Sequence, residues 1–209
     1  GLYAYVAAGG EGLRVIDISD PSSPKEMGAY DTPGYALDVH VSGSYAYVAD
    51  EKAGLRVIDI LDPSSPREVG AYDTPGWAEA VHILGSYAYI ADWAEGLRVI
   101  DISDPSSPGE IGAYDTPGLA YAVHVSGSYA YVADYEAGLR VIDISDPRSP
   151  KEVGAYDTPG RARAVHVSGS YAYVADWHGG LRIIDISDPS SPREVGACGT
   201  PGDARGVHV

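Results

Sequence analysis

Hydrophobic and polar positions alternate along this chain in short bursts rather than in long stripes. Across residues 36–73 four bursts stand out: ALDVHV (36–41), SYAYVAD (44–50), LRVIDI (55–60) and REVGAYD (67–73). Residues on both alternating sides are apolar or small, the pattern of strands in a sheet covered on both faces. Between them fall SGS, the loop before Gly54, DPSSP and TPG, all built from residues that favour turns. No stretch keeps the period of a helix, so the chain is predicted to be all-β.

The pattern then repeats. Tyr3, Tyr45, Tyr87, Tyr129 and Tyr171 are each 42 residues apart, with no insertion or deletion between them. A four-strand unit repeated at such a period cannot bury its apolar faces alone and must stack against its neighbours. Four-stranded units stacked face to face and closed in a ring make a β-propeller. The chain begins at the second strand of a unit and ends, with DARGVHV, on the first strand of one. Joined, the two ends would complete a fifth blade, the C-terminal strand sealing the N-terminal three. The expectation is a single domain, residues 1–209, folded as a five-bladed propeller. An open β-solenoid or a fragment of a larger ring are the alternatives, and the phase argues against both.

The segment GLRVIDISDPSSP with YAYVAD upstream resembles the LVIVD repeat of bacterial and archaeal cell-surface proteins. The resemblance covers essentially the whole chain, five times over. It implies a propeller fold and an extracellular or cell-surface setting, and it implies no chemistry. The near-identity of the copies suggests recent amplification or an engineered sequence.

Composition narrows the partners. The net charge is −16, which repels nucleic-acid phosphates and anionic membranes. No apolar run approaches the roughly 20 residues of a membrane helix, so no membrane insertion is expected. No signal peptide is visible, although a chain opening at Gly1 would show no trace of a trimmed leader. The one cysteine, Cys198, excludes an internal disulfide. It stands where other copies carry Tyr30, Tyr72, Tyr114 and Tyr156, and reads as a small core residue. A monomer without cofactor is expected.

Residues present in every unit answer to what every unit needs. Arg14, Arg56, Arg98, Arg140 and Arg182, with Asp17, Asp59, Asp101, Asp143 and Asp185, read as ion pairs and hydrogen bonds holding blades in register. DPSSP reads as a rigid hairpin loop, with Pro fixing φ and Asp capping the turn. His40, His82, His124, His166 and His208 lie on the first strand of each unit. A ring of imidazoles could hold a metal or anion. Five equivalent ligands without a repeating Cys or carboxylate make inter-blade hydrogen bonding the preferred reading, and no metal site is expected.

The variable positions carry the functional signal. One set precedes Gly-Leu-Arg: residues 9–11, 51–53, 93–95, 135–137 and 177–179. The other flanks the first Ala of the inner strand: Tyr35 and Leu37, Trp77 and Glu79, Leu119 and Tyr121, Arg161 and Arg163, Asp203 and Arg205. Alternating strand direction puts both sets on one face. All three tryptophans, Trp77, Trp93 and Trp177, fall among them, as do Tyr35, Tyr121, Tyr135 and His178. Aromatic residues gathered in surface loops are typical of binding surfaces. Drift is the rival explanation, with the arginines merely offsetting Glu79, Glu136 and Asp203.

The expected function is therefore a non-enzymatic binding module. Trp177, His178, Trp77, Trp93, Tyr35, Tyr121, Tyr135, Arg161, Arg163 and Arg205 would recognise a glycan or short acidic peptide. Gly9 and Gly10 would leave a cleft over the closing blade, with Trp177 as a stacking wall. A purely structural or engineered ring without ligand is the first alternative. A glycosidase-like hydrolase using Asp38, Glu79 or Asp203 is the second.

Overall fold

The computed structural model describes residues 2–209. Among these there are nineteen strands and no helix. β1 (Tyr3–Ala7), β2 (Leu13–Asp17) and β3 (Lys25–Tyr30) form a three-stranded sheet. Four sheets of four strands follow: β4 (Asp38–Ser42), β5 (Tyr45–Ala49), β6 (Leu55–Asp59) and β7 (Arg67–Tyr72); then β8 (Ala80–Leu84), β9 (Tyr87–Ala91), β10 (Leu97–Asp101) and β11 (Gly109–Tyr114). The last two are β12 (Ala122–Ser126), β13 (Tyr129–Ala133), β14 (Leu139–Asp143) and β15 (Lys151–Tyr156), and β16 (Ala164–Ser168), β17 (Tyr171–Ala175), β18 (Leu181–Asp185) and β19 (Arg193–Cys198). Each sheet runs in sequence order, as hairpin after hairpin. Within residues 36–73 the four predicted strands match in place, except that the first begins two residues late, because Ala36 bridges to Gly9 instead of joining β4.

Residues 205–209 form no strand, and the first sheet keeps three strands. The strand exchange expected at the ends is therefore absent from the sheet topology.

By packing, the chain divides into two compact units, residues 1–90 with 100–110, and residues 91–99 with 111–209. In the first, Leu13 of β2 packs with Ala46, Val48 and Ile58 of the next sheet, all fully buried. A second layer joins Leu55 and Val57 to Ile90 and Ile100. In the second unit, Leu139 and Val141 pack against Val174 and Ile184. In each unit the core lies between successive sheets, as two-sided apolar strands require.

The last strands β3, β7, β15 and β19 each carry a bulge, for example between Val141 and Ile142 of β14 opposite β15. A glycine sits beside it. A Cβ at Gly112 would collide with the backbone carbonyl of Pro147, in the next repeat's proline loop, and Gly154 meets Pro189 in the same way. These glycines exist to let one repeat's loop lie on the preceding outer strand.

Candidate functional site

The site is built on the hairpin between the second and third strands of each repeat. In the fourth repeat the Asp134 amide donates to the Gly138 carbonyl (2.8 Å) and the Gly138 amide to the Tyr135 carbonyl (3.2 Å). This tight closure drives the residue after the aspartate into the left-handed region. Glu51, Trp93, Tyr135 and Trp177 all have φ of 49–50°, and Gly9 takes 61° in the first repeat. Glycine is at ease there and a bulky side chain is not. Four repeats nevertheless spend this position on a large side chain, and strain of this kind concentrates at functional sites.

The same residue reaches forward. Glu51 bridges to Ala78, Trp93 to Ala120, Tyr135 to Ala162 and Trp177 to Ala204. The two variable sets are thus hydrogen-bonded neighbours at every junction, because each alanine lies between the two variable positions of the following strand.

Below the hairpin lies a feature the sequence reading passed over. Asp50, Asp92, Asp134 and Asp176 are fully buried. Asp134 accepts the Thr116 hydroxyl (2.6 Å) and the Gly118 amide (2.8 Å), and Arg140 stands 3.9 Å away. Asp50 and Asp176 hold Thr32 with Gly34, and Thr158 with Gly160. The Asp50, Asp134 and Asp176 carboxylates each pin the incoming linker beneath the variable loop. Burial pushes the Asp134 carboxyl above the ordinary range, against the pull of Thr116, Gly118 and Arg140. The signal was available in the recurring YVAD, with Ala8 the exception.

In the second unit the variable side chains form a continuous ladder. Tyr121 and Tyr135 lie 5.1 Å apart, centroid to centroid. The Arg163 guanidinium sits 4.1 Å from the Tyr121 ring and 4.4 Å from the Trp177 ring, with Tyr135 at 5.4 Å. Arg161 lies over Tyr135 at 4.9 Å and Arg205 over Trp177 at 5.1 Å. His178 packs edge-on against Trp177 at 5.7 Å, and its Nδ1 is 2.7 Å from Asp203 Oδ1. Arg161 pairs with Glu136 at 3.1 Å, and Arg205 approaches Asp203 at 3.7 Å. Seven of the ten candidate residues therefore meet here. Shallow recesses flank the ladder, one lined by Pro117, Tyr135 and Glu136, the other by Pro159, Arg161, His178 and Arg182.

Lys52 Nζ lies 5.0 Å over the Trp77 ring. Trp93, in the second unit, occupies its strained hairpin position against Ala120. The cleft expected above Gly9 and Gly10 is not open, because the Tyr35 ring fills it. A Cβ on Gly9 would stand 2.6 Å from Tyr35 Cζ, and one on Gly10 3.9 Å from the ring. The missing side chains make room for the aromatic residue across the bridge, which the sequence alone placed elsewhere on the face.

The repeated residues also sort differently from expectation. Arg14, Arg56, Arg140 and Arg182 pair with carboxylates other than Asp17 and its equivalents. Arg56 instead binds Asp73 (2.7 Å) and approaches Asp50 and Glu68, all in its own repeat. Asp17 and Asp143 accept the backbone amide two residues on, capping the turn into the proline loop. Contact between repeats passes through tyrosine, as Tyr156 donates to Glu194 at 3.3 Å. Cys198 is exposed rather than a core residue.

The histidines pack ring on ring: His40 with His82 at 4.9 Å, His124 with His166 at 4.7 Å and His166 with His208 at 4.5 Å. Among the described residues no three His, Cys, Asp or Glu side chains form a metal-holding group. Burial lowers the His40 and His166 pKa, with Asp38 opposing it at His40 and His208 reinforcing it at His166. Asp38, a candidate acid, accepts the Val39 amide (2.9 Å) and the Val81 amide (3.0 Å), and burial raises its pKa. Asp203, a second candidate acid, is engaged by His178 and Arg205.

Comparison with solved structures supports the fold. The chain is similar to a crystal structure of the computationally designed Ika8 protein (11% identity, TM-score 0.75), covering 96% of this chain and 60% of that one. It is similar to a functionally unknown protein from Desulfotomaculum acetoxidans DSM 771 (15% identity, TM-score 0.75), covering 96% of this chain and 68% of that one. Both relatives are thus longer than this chain, and at such identities the likeness concerns fold alone. Among curated proteins none matches in sequence. The sequence profile of the LVIVD repeat matches residues 1–32, 33–74, 75–116, 117–158 and 159–200 in unbroken succession, and the chain belongs to the LVIVD repeat family.

Proposed function

We propose that the protein is a non-enzymatic binding module whose recognition surface is the variable hairpin face, centred on the ladder from Tyr121 to Arg205. The observation that carries this reading is the ladder itself. Side chains that vary between otherwise uniform repeats stand within 4.1–5.4 Å of one another as alternating rings and guanidinium groups. Drift does not explain bulky residues kept at a left-handed backbone position. Of the two ligand classes considered, a short acidic peptide is favoured over a glycan. Sugars stack on open ring faces, and here guanidinium groups already lie over Tyr121, Tyr135 and Trp177.

The proposal extends to architecture and setting. The five sheets are read as the blades of a five-bladed propeller. The family resemblance favours display at the cell surface, as a monomer without cofactor. A second reading, a structural ring without ligand, draws on the ladder's internal satisfaction: Arg161 has Glu136, and His178 and Arg205 have Asp203.

Titration of acidic-peptide and glycan libraries, followed by tryptophan fluorescence, separates these. Binding weakened by Trp177→Ala and by Tyr121→Ala, with Trp93→Ala weaker in effect, supports the module. No binder in either library, together with loss of stability in both ladder variants, supports the structural reading instead.

A further inference from the structure

We infer that Arg163 is the receptor for a single carboxylate of the ligand. This inference rests on the binding-module reading and assigns the chemistry of its central contact.

The ladder holds three guanidinium groups, Arg161, Arg163 and Arg205, and two carboxylates, Glu136 and Asp203. Glu136 is taken by Arg161 and Asp203 by Arg205 with His178. Among the described residues, no carboxylate or other acceptor meets the Arg163 side chain; its partners are the Tyr121, Tyr135 and Trp177 rings. One positive charge is left over. In a chain of net charge −16 an uncompensated guanidinium is unusual, because acceptors are abundant.

The rings also determine what Arg163 can accept. The Tyr121 and Trp177 rings, at 4.1 and 4.4 Å, hold the guanidinium between them, and no protein acceptor among the described residues takes its N–H groups. Its backbone is anchored too, since the Arg163 amide donates to the Ala175 carbonyl at 2.8 Å. Held between two rings, the guanidinium has lost much of the rotamer freedom that a surface arginine gives up on binding. A planar edge with parallel donors matches a carboxylate in two-point contact. One surplus charge matches one carboxylate, whereas a dianionic phosphate would meet Glu136 and Asp203 nearby without compensation. The carboxylate can come from an Asp or Glu side chain or from a chain terminus.

Three probes separate the outcomes: an acetylated, amidated pentapeptide with a central glutamate flanked by leucines; its glutamine counterpart; and the glutamine peptide with a free C-terminal carboxylate. Binding is read by tryptophan fluorescence and by the side-chain Nε–H NMR signal of Arg163. The expected result is binding of the glutamate or the free-acid peptide, whichever source fits, with the amidated glutamine peptide at least tenfold weaker. Arg163→Gln should lose at least tenfold and Arg163→Lys nearly as much, with circular dichroism unchanged and melting lowered by only a few degrees through the lost ring contacts. Arg148→Gln, on the opposite proline loop, should change nothing. Charged and neutral peptides binding alike, or full binding by Arg163→Gln, overturns the carboxylate assignment and leaves the binding face standing. No binding of any probe at millimolar concentration also overturns it, and the library titration then decides whether the face binds at all.

Discussion

At Glu51 the backbone φ of 50° is paid for without any ring contact in return, whereas Trp177 has the same geometry and holds two arginines. The pair separates backbone strain from side-chain gain. An L-residue in the left-handed region costs about 1 kcal/mol, which glycine avoids. Glu51→Gly should therefore raise stability by about 1 kcal/mol, a melting rise of roughly 2–4 °C for a chain of this size. Trp177→Gly gains the same relief but loses its stacking, so its melting point should move less while ligand binding disappears. Thermal melts of the two variants side by side check this. The buried aspartates make the opposite case. Asp134→Ala strands the Thr116 hydroxyl, the Gly118 amide and Arg140, and should cost about 3 kcal/mol in a denaturant titration.

At the scale of elements, the inner strands carry a pH dependence. His40 and His166 have pKa values lowered by burial, so the unfolded chain binds protons more readily than the folded one. Their contribution is fully present above the unfolded histidine value of about 6.5 and is lost as pH falls through the lowered folded values. Melting temperature should decline on acidification below about pH 6.5, and His166→Gln should flatten part of that decline. A profile with no slope between neutrality and pH 5 would contradict it. The outer strands depend instead on glycine. In Gly112→Ala the new methyl meets the Pro147 carbonyl, so the proline loop of the next repeat must lift away. A loss above about 2 kcal/mol is expected, larger than for Gly109→Ala, whose Cβ position is open.

At the scale of the whole molecule, repeat proteins derive stability from each unit and from its interface with the next. The proposed closed ring is checked by solution scattering. A compact chain of 209 residues has a radius of gyration of about 17 Å, and a clearly larger value would favour an open arc of blades. Strand order and the hairpin connections were legible in the sequence, because alternation, turn residues and an unvarying period are local properties, whereas the closing strand expected from DARGVHV did not form. The variable positions were legible as well, since variation against a uniform background marks them without coordinates. Neighbour relations across the bridges were not legible. That Tyr35 covers Gly9, that Arg163 lies between Tyr121 and Trp177, and that Arg56 turns to Asp73 rather than Asp59 all depend on which side chains the folded backbone brings within a few ångströms. A 42-residue period equates positions in successive repeats but does not say how far a side chain reaches across the junction. Tertiary packing decides that, because ring stacking and ion pairing are set by distance in space, and spacing along the chain carries no such distance.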